Sequence, residues 1–306
     1  MPSLEQVFTF VDLSSKSGHN LGKSYYPAKL RALRRFLIYK LFLIIDKSIN
    51  LSSCRGISDF FNKTNHCNYV SLNWDIVLEQ CLQRYLQKDF SYGVDETFVK
   101  ISRGSAKPIN ISGNLSNASL KIAKVHGSAN WAYCDNCRKI FCMKDTKITK
   151  VIQSGIYISD IKMFYPPHET DVGNKKLLKE KIRKNAKMKE CPECNCALGS
   201  HIATFSYNKS FRTHAFSDSW KLAETILTGA NKWMFIGYSL PEADFEFAHM
   251  LKYVQKKADV QKEIIVIVKD DSRAQNQYES LFGRNNVRLF NNGLEDFISN
   301  ELNLLI

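Results

Sequence analysis

Three short polar segments follow predicted strands and carry the residues best suited to chemistry. They are Ser71–Asp75, Lys124–Ser128 and Ile236–Glu242. Because ligands bind at the carboxyl ends of strands in open α/β sheets, we expect the three segments to form one site. A neutral imidazole is a suitable general base near pH 7, which makes His126 the leading catalytic candidate. The alternative is that His126 is a satisfied structural residue, the more common role of a single histidine after a strand.

The other polar residues of these segments also have two interpretations. Asn73 and Asp75 could position a substrate, or they could cap the helix that follows them. Ser239 and Glu242 have the spacing of a capping box. Gly237 has no side chain, so the backbone there could approach a phosphate or a ribose closely.

Four cysteines form two C-x-x-C pairs, namely Cys134 with Cys137 and Cys191 with Cys194. Each pair can hold two thiolates at the separation that tetrahedral zinc requires, and two pairs complete a site without an open position. Such a site is structural rather than catalytic. Buried free thiols and redox pairs are the alternatives, but a redox pair is normally single. Cys142 and Cys196 are close enough in the sequence to be rival ligands.

These residues need a scaffold, and the sequence from about residue 67 predicts an α/β fold. Short apolar runs alternate with amphipathic stretches, which is typical of parallel strands covered by helices on both faces. Strands are predicted at 69–72, 120–125, 233–238, 263–268 and 287–290. Helices are predicted at 74–86, 217–227, 244–254, 272–281 and 294–302. We therefore expect a doubly wound, Rossmann-like parallel sheet.

Composition divides the chain into three parts. Residues 1–66 form a predicted N-terminal helical segment. Residues 67–133 and 200–306 form a predicted discontinuous Rossmann-like domain. Residues 134–199 are rich in lysine and hold most of the cysteines, which predicts an inserted zinc-ribbon-like module.

Charge and composition exclude several classes of protein. Lys and Arg number 43 against 30 Asp and Glu, which gives a net charge of +13. Much of this excess lies in Lys175–Glu190, where no aromatic residues are interleaved, so a solvent-facing helix is favoured over a nucleic-acid surface. No apolar run reaches the ~20 residues that span a bilayer, and no signal peptide opens the chain. We expect a soluble cytoplasmic protein that binds neither membranes nor nucleic acid.

Taken together, the motifs resemble a known family. The sequence reads NWD at 73–75, KVHGSANW at 124–131 and GYSLPEAD at 237–244. In this order, and over roughly residues 1–300, they are similar to the sirtuin-like NAD-consuming domains. The closest similarity is to the bacterial sirtuin-like branch found in antiviral defence proteins.

The resemblance implies a role for each matched residue, with NAD as cosubstrate and a structural Zn²⁺. His126 would be the general base, and Asn73 would position a water molecule or the ribose. Asp75 would hydrogen-bond the carboxamide of nicotinamide. Gly237 and Ser239 would contact a phosphate and a ribose of the dinucleotide.

Two departures from the family pattern affect the cofactor site. The family opens with a strand and a Gly-Ala-Gly-x-Ser-like loop that holds the pyrophosphate, whereas the first glycines here, Gly18 and Gly22, lie in a polar stretch with no strand before it. A fragment, a misplaced start or a degenerate domain is therefore expected. Lys269 stands where other sirtuins place an Asn that contacts the adenosine ribose, so Lys269 is a candidate for an altered contact.

Three functions follow from these observations. The leading hypothesis is an NAD glycohydrolase that releases nicotinamide and ADP-ribose, with a role in antiviral defence. The alternative enzyme is an NAD-dependent protein lysine deacylase, which the four-cysteine pattern favours. The third hypothesis is a non-catalytic sirtuin-like zinc-binding module, which the absent glycine loop favours. Candidate partners besides NAD are a second copy of the chain and a separate defence protein.

Overall fold

The computed structural model describes most of the chain, with several gaps. The described residues are 2–48, 56–94, 96–100, 109–110, 118, 120–143, 190–196, 198–202, 214–258 and 261–305. The predicted basic helix at Lys175–Glu190 lies outside them, apart from Glu190 itself.

The chain begins with two packed helices, α1 (Leu4–Ser17) and α2 (Pro27–Ser48). A capping box between Ser3 and Gln6 satisfies the first backbone N–H groups of α1. Phe42 of α2 packs edge-on against Trp74 of the Ser71–Asp75 segment, with ring centroids 5.6 Å apart. The helical pair therefore supports the first polar segment from outside the sheets.

The first sheet has three strands, all paired in parallel. Its centre is β5 (Leu120–Lys124), which lies between β1 (Tyr69–Ser71) and β2 (Phe90–Ser91). Helix α3 (Ile57–Lys63) precedes β1, and the short helix α4 (Val77–Cys81) follows it. The first two polar segments thus leave neighbouring strands at the same edge of the sheet.

The second sheet also has three parallel strands. Its centre is β10 (Glu263–Ile267), which lies between β9 (Lys232–Ile236) and β11 (Val287–Phe290). Four helices alternate with these strands: α5 (His214–Gly229), α6 (Phe245–Lys257), α7 (Ala274–Phe282) and α8 (Leu294–Glu301). The predicted α/β class with parallel strands is confirmed.

Helices cover both faces of the two sheets. On one face, α5, α6 and α7 pack in a single cluster that includes Val70 of β1 and Trp233 of β9. On the other face, α3, α4 and α8 pack in a second cluster that includes Tyr69 of β1 and Met234 of β9. Each helical layer therefore extends over both sheets.

The third sheet carries the cysteine pairs. Its order is β4 (Ile109–Asn110), β3 (Glu96–Lys100), β7 (Ile140–Met143), β6 (Gly127–Tyr133) and β8 (Gly199–Ile202). Strand β6 begins directly after His126 and ends directly before Cys134. The sheet thus draws three strands, β3, β4 and β6, from before the predicted 134–199 module. Among the described residues, no helix combines the length and the apolar character that crossing a membrane requires.

Buried tyrosines give the fold a predictable response to alkali. Burial raises the pKa of Tyr69 to about 12. Burial likewise raises the pKa of Tyr92, Tyr238 and Tyr278. Each of these phenols keeps its proton in the folded state at a pH where the unfolded chain releases it.

We predict that stability is unaffected by Tyr69 below pH 10 and falls as the pH rises from about 10 to about 12. Between its ordinary pKa and its raised pKa, the phenol releases its proton only in the unfolded chain. This favours the unfolded state, so the free energy of unfolding falls by about 1.4 kcal/mol per pH unit for one such group. Urea unfolding of Tyr69→Phe should therefore show a shallower decline over this range. Tyr253→Phe is the control, since Tyr253 is exposed. Parallel pH profiles for wild type and Tyr69→Phe would contradict the prediction.

Candidate functional site

The three polar segments converge on His126. Its Nδ1 lies 3.1 Å from the carbonyl oxygen of Leu72 at the end of β1. Its Nε2 lies 3.8 Å from Oδ1 of Asp244, which follows β9. The backbone N–H of Ala129 also donates to the carbonyl oxygen of Trp74 at 2.7 Å. The first two segments therefore meet at one edge of the sheet, and Asp244 joins them from two residues beyond the third segment.

The imidazole of His126 has a defined orientation. Because a carbonyl oxygen only accepts hydrogen bonds, the contact with Leu72 assigns a proton to Nδ1 and leaves Nε2 as the basic atom of the neutral ring. The carboxylate of Asp244 then faces Nε2, where it stabilises the positive charge that the ring acquires on taking a proton.

Helix α5 fixes the backbone immediately before His126. The hydroxyl of Ser219 donates to the carbonyl oxygen of Lys124 at 3.0 Å. The indole Nε1–H of Trp220 donates to the carbonyl oxygen of Val125, also at 3.0 Å. Two successive carbonyl groups at the end of β5 are thus held by one helix, which limits movement of the histidine.

A short loop after β9 brings Asp244 back to the histidine. Gly237 has φ +63° and Leu240 has φ +53°, so the chain turns through the left-handed region twice. The phenol of Tyr238 donates to Oδ2 of Asp244 at 3.1 Å, and the phenol of Tyr278 donates to the carbonyl oxygen of Tyr238 at 2.8 Å. Burial and the carboxylate of Asp244 raise the pKa of Tyr238, so this phenol remains a donor.

A buried ion pair lies below the site. The ammonium group of Lys124 is 3.2 Å from Oε1 of Glu79 and donates to the carbonyl oxygen of Asp75 at 2.6 Å. The phenol of Tyr92 donates to the same oxygen of Glu79 at 3.1 Å, and the side-chain amide of Asn130 donates to that phenol at 2.9 Å. This chain of contacts connects α4, β2, β5 and β6.

A cleft of about 490 Å³ lies between β1 and β9. Asn73, Asp75 and Gly237 line it, so three of the predicted cofactor-binding residues share one surface. Ser239 is half-buried and Lys269 is exposed, and neither lines the cleft. The structure therefore brings together part of the predicted cofactor set.

Local contacts already occupy some atoms of these residues. Oδ1 of Asp75 accepts from the backbone N–H of Val77 at 3.0 Å, which is the helix-start role weighed from the sequence. The backbone N–H of Gly237 donates to the carbonyl oxygen of Ile267 at 2.8 Å. A Cβ added at Gly237 would meet no atom within 4 Å, so its Cα faces open space. Ligand contact at Gly237 would therefore use this open face, since its N–H is engaged.

The predicted capping box of Ser239 and Glu242 is wrong. The turn Glu242–Asp244 begins after Pro241, and no side chain caps it. Helix α6 then begins at Phe245 with no side-chain cap at Asp244. The carboxylate of Asp244 instead contacts His126 and Tyr238.

The two cysteine pairs form a compact cluster. Their four sulfur atoms all lie within 4.8 Å of one another: Cys134, Cys137, Cys191 and Cys194. Sγ of Cys134 lies 3.4 Å from that of Cys194, and Sγ of Cys137 lies 4.0 Å from that of Cys191. Zn–S bonds of about 2.3 Å in a tetrahedron place sulfurs about 3.8 Å apart, so the cluster has the dimensions of a zinc site.

The two knuckles share one backbone geometry. The N–H of Arg138 donates to the carbonyl of Cys134 at 2.7 Å, and that of Asn195 to the carbonyl of Cys191 at 3.0 Å. Arg138 and Asn195 both have positive φ, 58° and 64°. In each pair, the residue after the second cysteine therefore adopts the left-handed conformation.

The thiol pKa values within the cluster move in opposite directions. The backbone N–H of Cys196 lowers the pKa of the Cys194 thiol to about 6, which favours a thiolate at neutral pH. Burial raises the pKa of Cys134, and a hydrogen bond with Cys194 raises that of Cys137. Binding of a divalent cation would displace the protons of the remaining thiols and offset part of the negative charge of the thiolates. The two rival candidates are not part of the four-sulfur cluster: Cys142 lies in β7, and Cys196 is exposed.

Sequence reasoning missed the residues that orient the histidine from a distance. Asp244 and Tyr238 lie in a recognised segment, but their contact depends on the double turn at Gly237 and Leu240. A lysine inside an apolar strand is the signal that could have revealed the Lys124 ion pair, because a buried lysine requires a partner.

No family model matches the chain, and no curated protein matches it either.

We predict that the purified chain binds one zinc ion and that Cys194→Ser abolishes this binding. Loss of a ligand from a structural site should also lower the melting temperature by roughly 5 °C or more. Zinc is measured by mass spectrometry, and melting by calorimetry with and without chelator. The matched control is Cys196→Ser, which should retain the metal because Cys196 lies outside the cluster. Full zinc content in Cys194→Ser would refute the site.

We also predict that Lys124→Met destabilises the fold by about 3–5 kcal/mol, because it leaves the carboxylate of Glu79 buried without its cation. The control is Arg284→Met, which removes an exposed partner of Glu279 at 3.2 Å and should cost about 0–1 kcal/mol. Urea unfolding at neutral pH measures both values. Equal losses of unfolding free energy in the two variants would contradict the prediction that the buried ion pair is the more important for stability.

Proposed function

We propose that this protein is a sirtuin-like NAD glycohydrolase that acts in the cytoplasm in antiviral defence. The observation that carries the proposal is the orientation of His126, with Nδ1 against the carbonyl of Leu72 and Nε2 facing Asp244. This arrangement provides one oriented base at the edge of a parallel sheet, which suits a reaction that needs positioning more than a strong nucleophile.

In the proposed reaction, the bond between nicotinamide nitrogen and ribose carbon breaks, and its electron pair leaves with nicotinamide. Water then attacks the ribosyl cation and loses a proton, which Nε2 of His126 accepts. Asp244 stabilises the resulting imidazolium. Asn73 would position the water molecule or the ribose, and Asp75 would bind the carboxamide through the oxygen that does not contact Val77. The products are nicotinamide, ADP-ribose and a proton.

The fold proposal accompanies this function. We infer that the two parallel sheets are halves of one doubly wound, Rossmann-like domain. The support is that each helical layer packs against strands of both sheets. Val70 of β1 and Trp233 of β9 belong to one hydrophobic cluster, and Tyr69 of β1 and Met234 of β9 belong to the other. The dinucleotide would then bind at the carboxyl ends of β1 and β9, with Gly237 and Ser239 at its phosphate and ribose. Lys269 would alter the contact with the adenosine ribose.

A protein deacylase is the second candidate. The observation that favours it is that β6 leads from His126 to Cys134 without interruption, so the four-cysteine module adjoins the site. In that reaction an acyl oxygen attacks the ribose carbon in place of water. A non-catalytic module is the third outcome that the assay distinguishes.

We predict that the chain releases nicotinamide from NAD without any acylated peptide. His126→Ala should reduce the rate by about 10²–10⁴-fold, since it removes the base. Chromatographic measurement of nicotinamide, with and without an acetyl-lysine peptide, provides the test. His249→Ala is the matched control, because His249 is an exposed histidine on α6, and it should retain wild-type activity.

Each alternative gives a different result. Peptide-dependent release would support the deacylase. Absence of release in both conditions would refute catalysis by this chain. Equal losses in His126→Ala and His249→Ala would contradict the role assigned to His126.

A further inference from the structure

The cleft between β1 and β9 has walls made of strand edges. It is lined by the consecutive residues 68–73 on one side and by 232–238 on the other. A strand that presented one face would contribute every second residue, because successive side chains point to opposite faces. Lining by consecutive residues therefore means that the backbone edges of both strands face the cleft.

Neither edge is paired within the part of the chain that the structure describes. β1 is an outer strand whose partner is β5, and β9 is an outer strand whose partner is β10. An outer strand presents unpaired N–H and C=O groups, which readily pair with another extended segment. Here two such edges lie on opposite sides of one cleft.

Helices close the cleft above and below. Leu227 of α5 and Phe247 of α6 line it on one face, and Phe61 of α3 and Leu78 of α4 line it on the other. A segment inserted in the plane of the sheets would therefore be covered by apolar side chains on both faces. Strands with this environment are continuous apolar runs.

Burial along the edges is incomplete in a way that matches a missing neighbour. Ile236 of β9 is 42% exposed. Its register partner in β10, Ile267, is only 1% exposed. All three residues of β1 are also only half-buried, although β5 beside them is mostly buried. An isoleucine left this open forfeits part of the free energy that full burial of its side chain would provide.

We propose that this cleft is a strand-acceptor site, which binds an extended run of about five apolar residues from a partner polypeptide. The bound strand hydrogen-bonds to the edges of β1 and β9 and joins the two sheets. Strand addition to an exposed edge is an established mode of peptide recognition, in which backbone bonds supply affinity and side-chain pockets supply selectivity. The proposal is independent of any reaction with NAD.

The test uses a synthetic peptide of five alternating Val and Ile residues, flanked by two lysines at each end to oppose non-specific attraction to the basic chain. Hydrogen exchange with mass spectrometry follows the amides of 69–72 and 232–236. We expect fast exchange at the outward edges of the chain alone, and about tenfold slower exchange at saturating peptide. A peptide with proline at its centre should protect much less, because proline removes a backbone donor.

A pair of isoleucine variants provides the matched control. Ile236→Lys places a charge in the cleft and should abolish the peptide-induced protection. Ile44→Lys changes a 61% exposed isoleucine on α2 and should leave the protection unchanged. Both side chains are exposed, so both variants should fold.

Several results would overturn the proposal. Protection of both edges in the chain alone, without self-association, would mean that its own residues fill the cleft. Protection that appears together with dimerisation on light scattering would identify a second copy as the occupant. No protection by the peptide, or equal protection by the proline-containing peptide, would show that the cleft does not accept a strand.

Discussion

The ammonium group of Lys124 is fully buried, and the need to neutralise it organises the site. Glu79 supplies the opposite charge from α4, and the carbonyl of Asp75 supplies a further acceptor from the segment after β1. Burying a charge without such partners costs far more than a native fold can tolerate. Because His126 is two residues from Lys124, the ion pair also fixes the strand end from which the histidine projects.

The same network extends to the cysteine module. Glu79 accepts from Tyr92, and Tyr92 accepts from Asn130 on β6. Strand β6 ends beside Cys134, so the metal-binding turns continue a strand that is anchored at its other end near His126. A cluster that holds this strand firmly would therefore also limit movement at the histidine, although the sulfur atoms take no part in the chemistry. A metal ion held by these four cysteines would stabilise the site through the backbone.

The sequence was most informative where a function depends on local spacing. The C-x-x-C pairs specify their own turns, which explains why Cys134 and Cys191 could be assigned to one cluster across an intervening stretch of chain. The parallel strands were predictable for a similar reason, since continuous apolar runs such as that at Glu263–Ile267 are typical of strands buried on both faces. Periodicity also predicted the helices that alternate with them.

Contacts between distant segments could not be predicted in the same way. Asp244 was expected near the start of a helix, and its contact with His126 depends on left-handed turns at Gly237 and Leu240. Glycine accounts for the first turn, but a leucine with positive φ is not predictable from local preference. Asp75 illustrates a different difficulty, because its carboxylate takes part in the helix start and lines the cleft at once. A single local pattern is compatible with both roles.

The cleft connects the proposed chemistry to the proposed strand site. Asn73 and Gly237 follow β1 and β9, the two strands whose facing edges are unpaired among the described residues. Pairing with a shared neighbour would fix the distance between these strands, and thereby the distance between the residues that follow them. Precise positioning contributes much of the rate in a reaction that lacks a strong nucleophile. In a chain with an open cleft, α5 still holds the end of β5 and therefore His126. The distance between Asn73 and Gly237 would be fixed only when a strand is bound. Strand binding would in this way act on NAD turnover through geometry, without contributing a catalytic group.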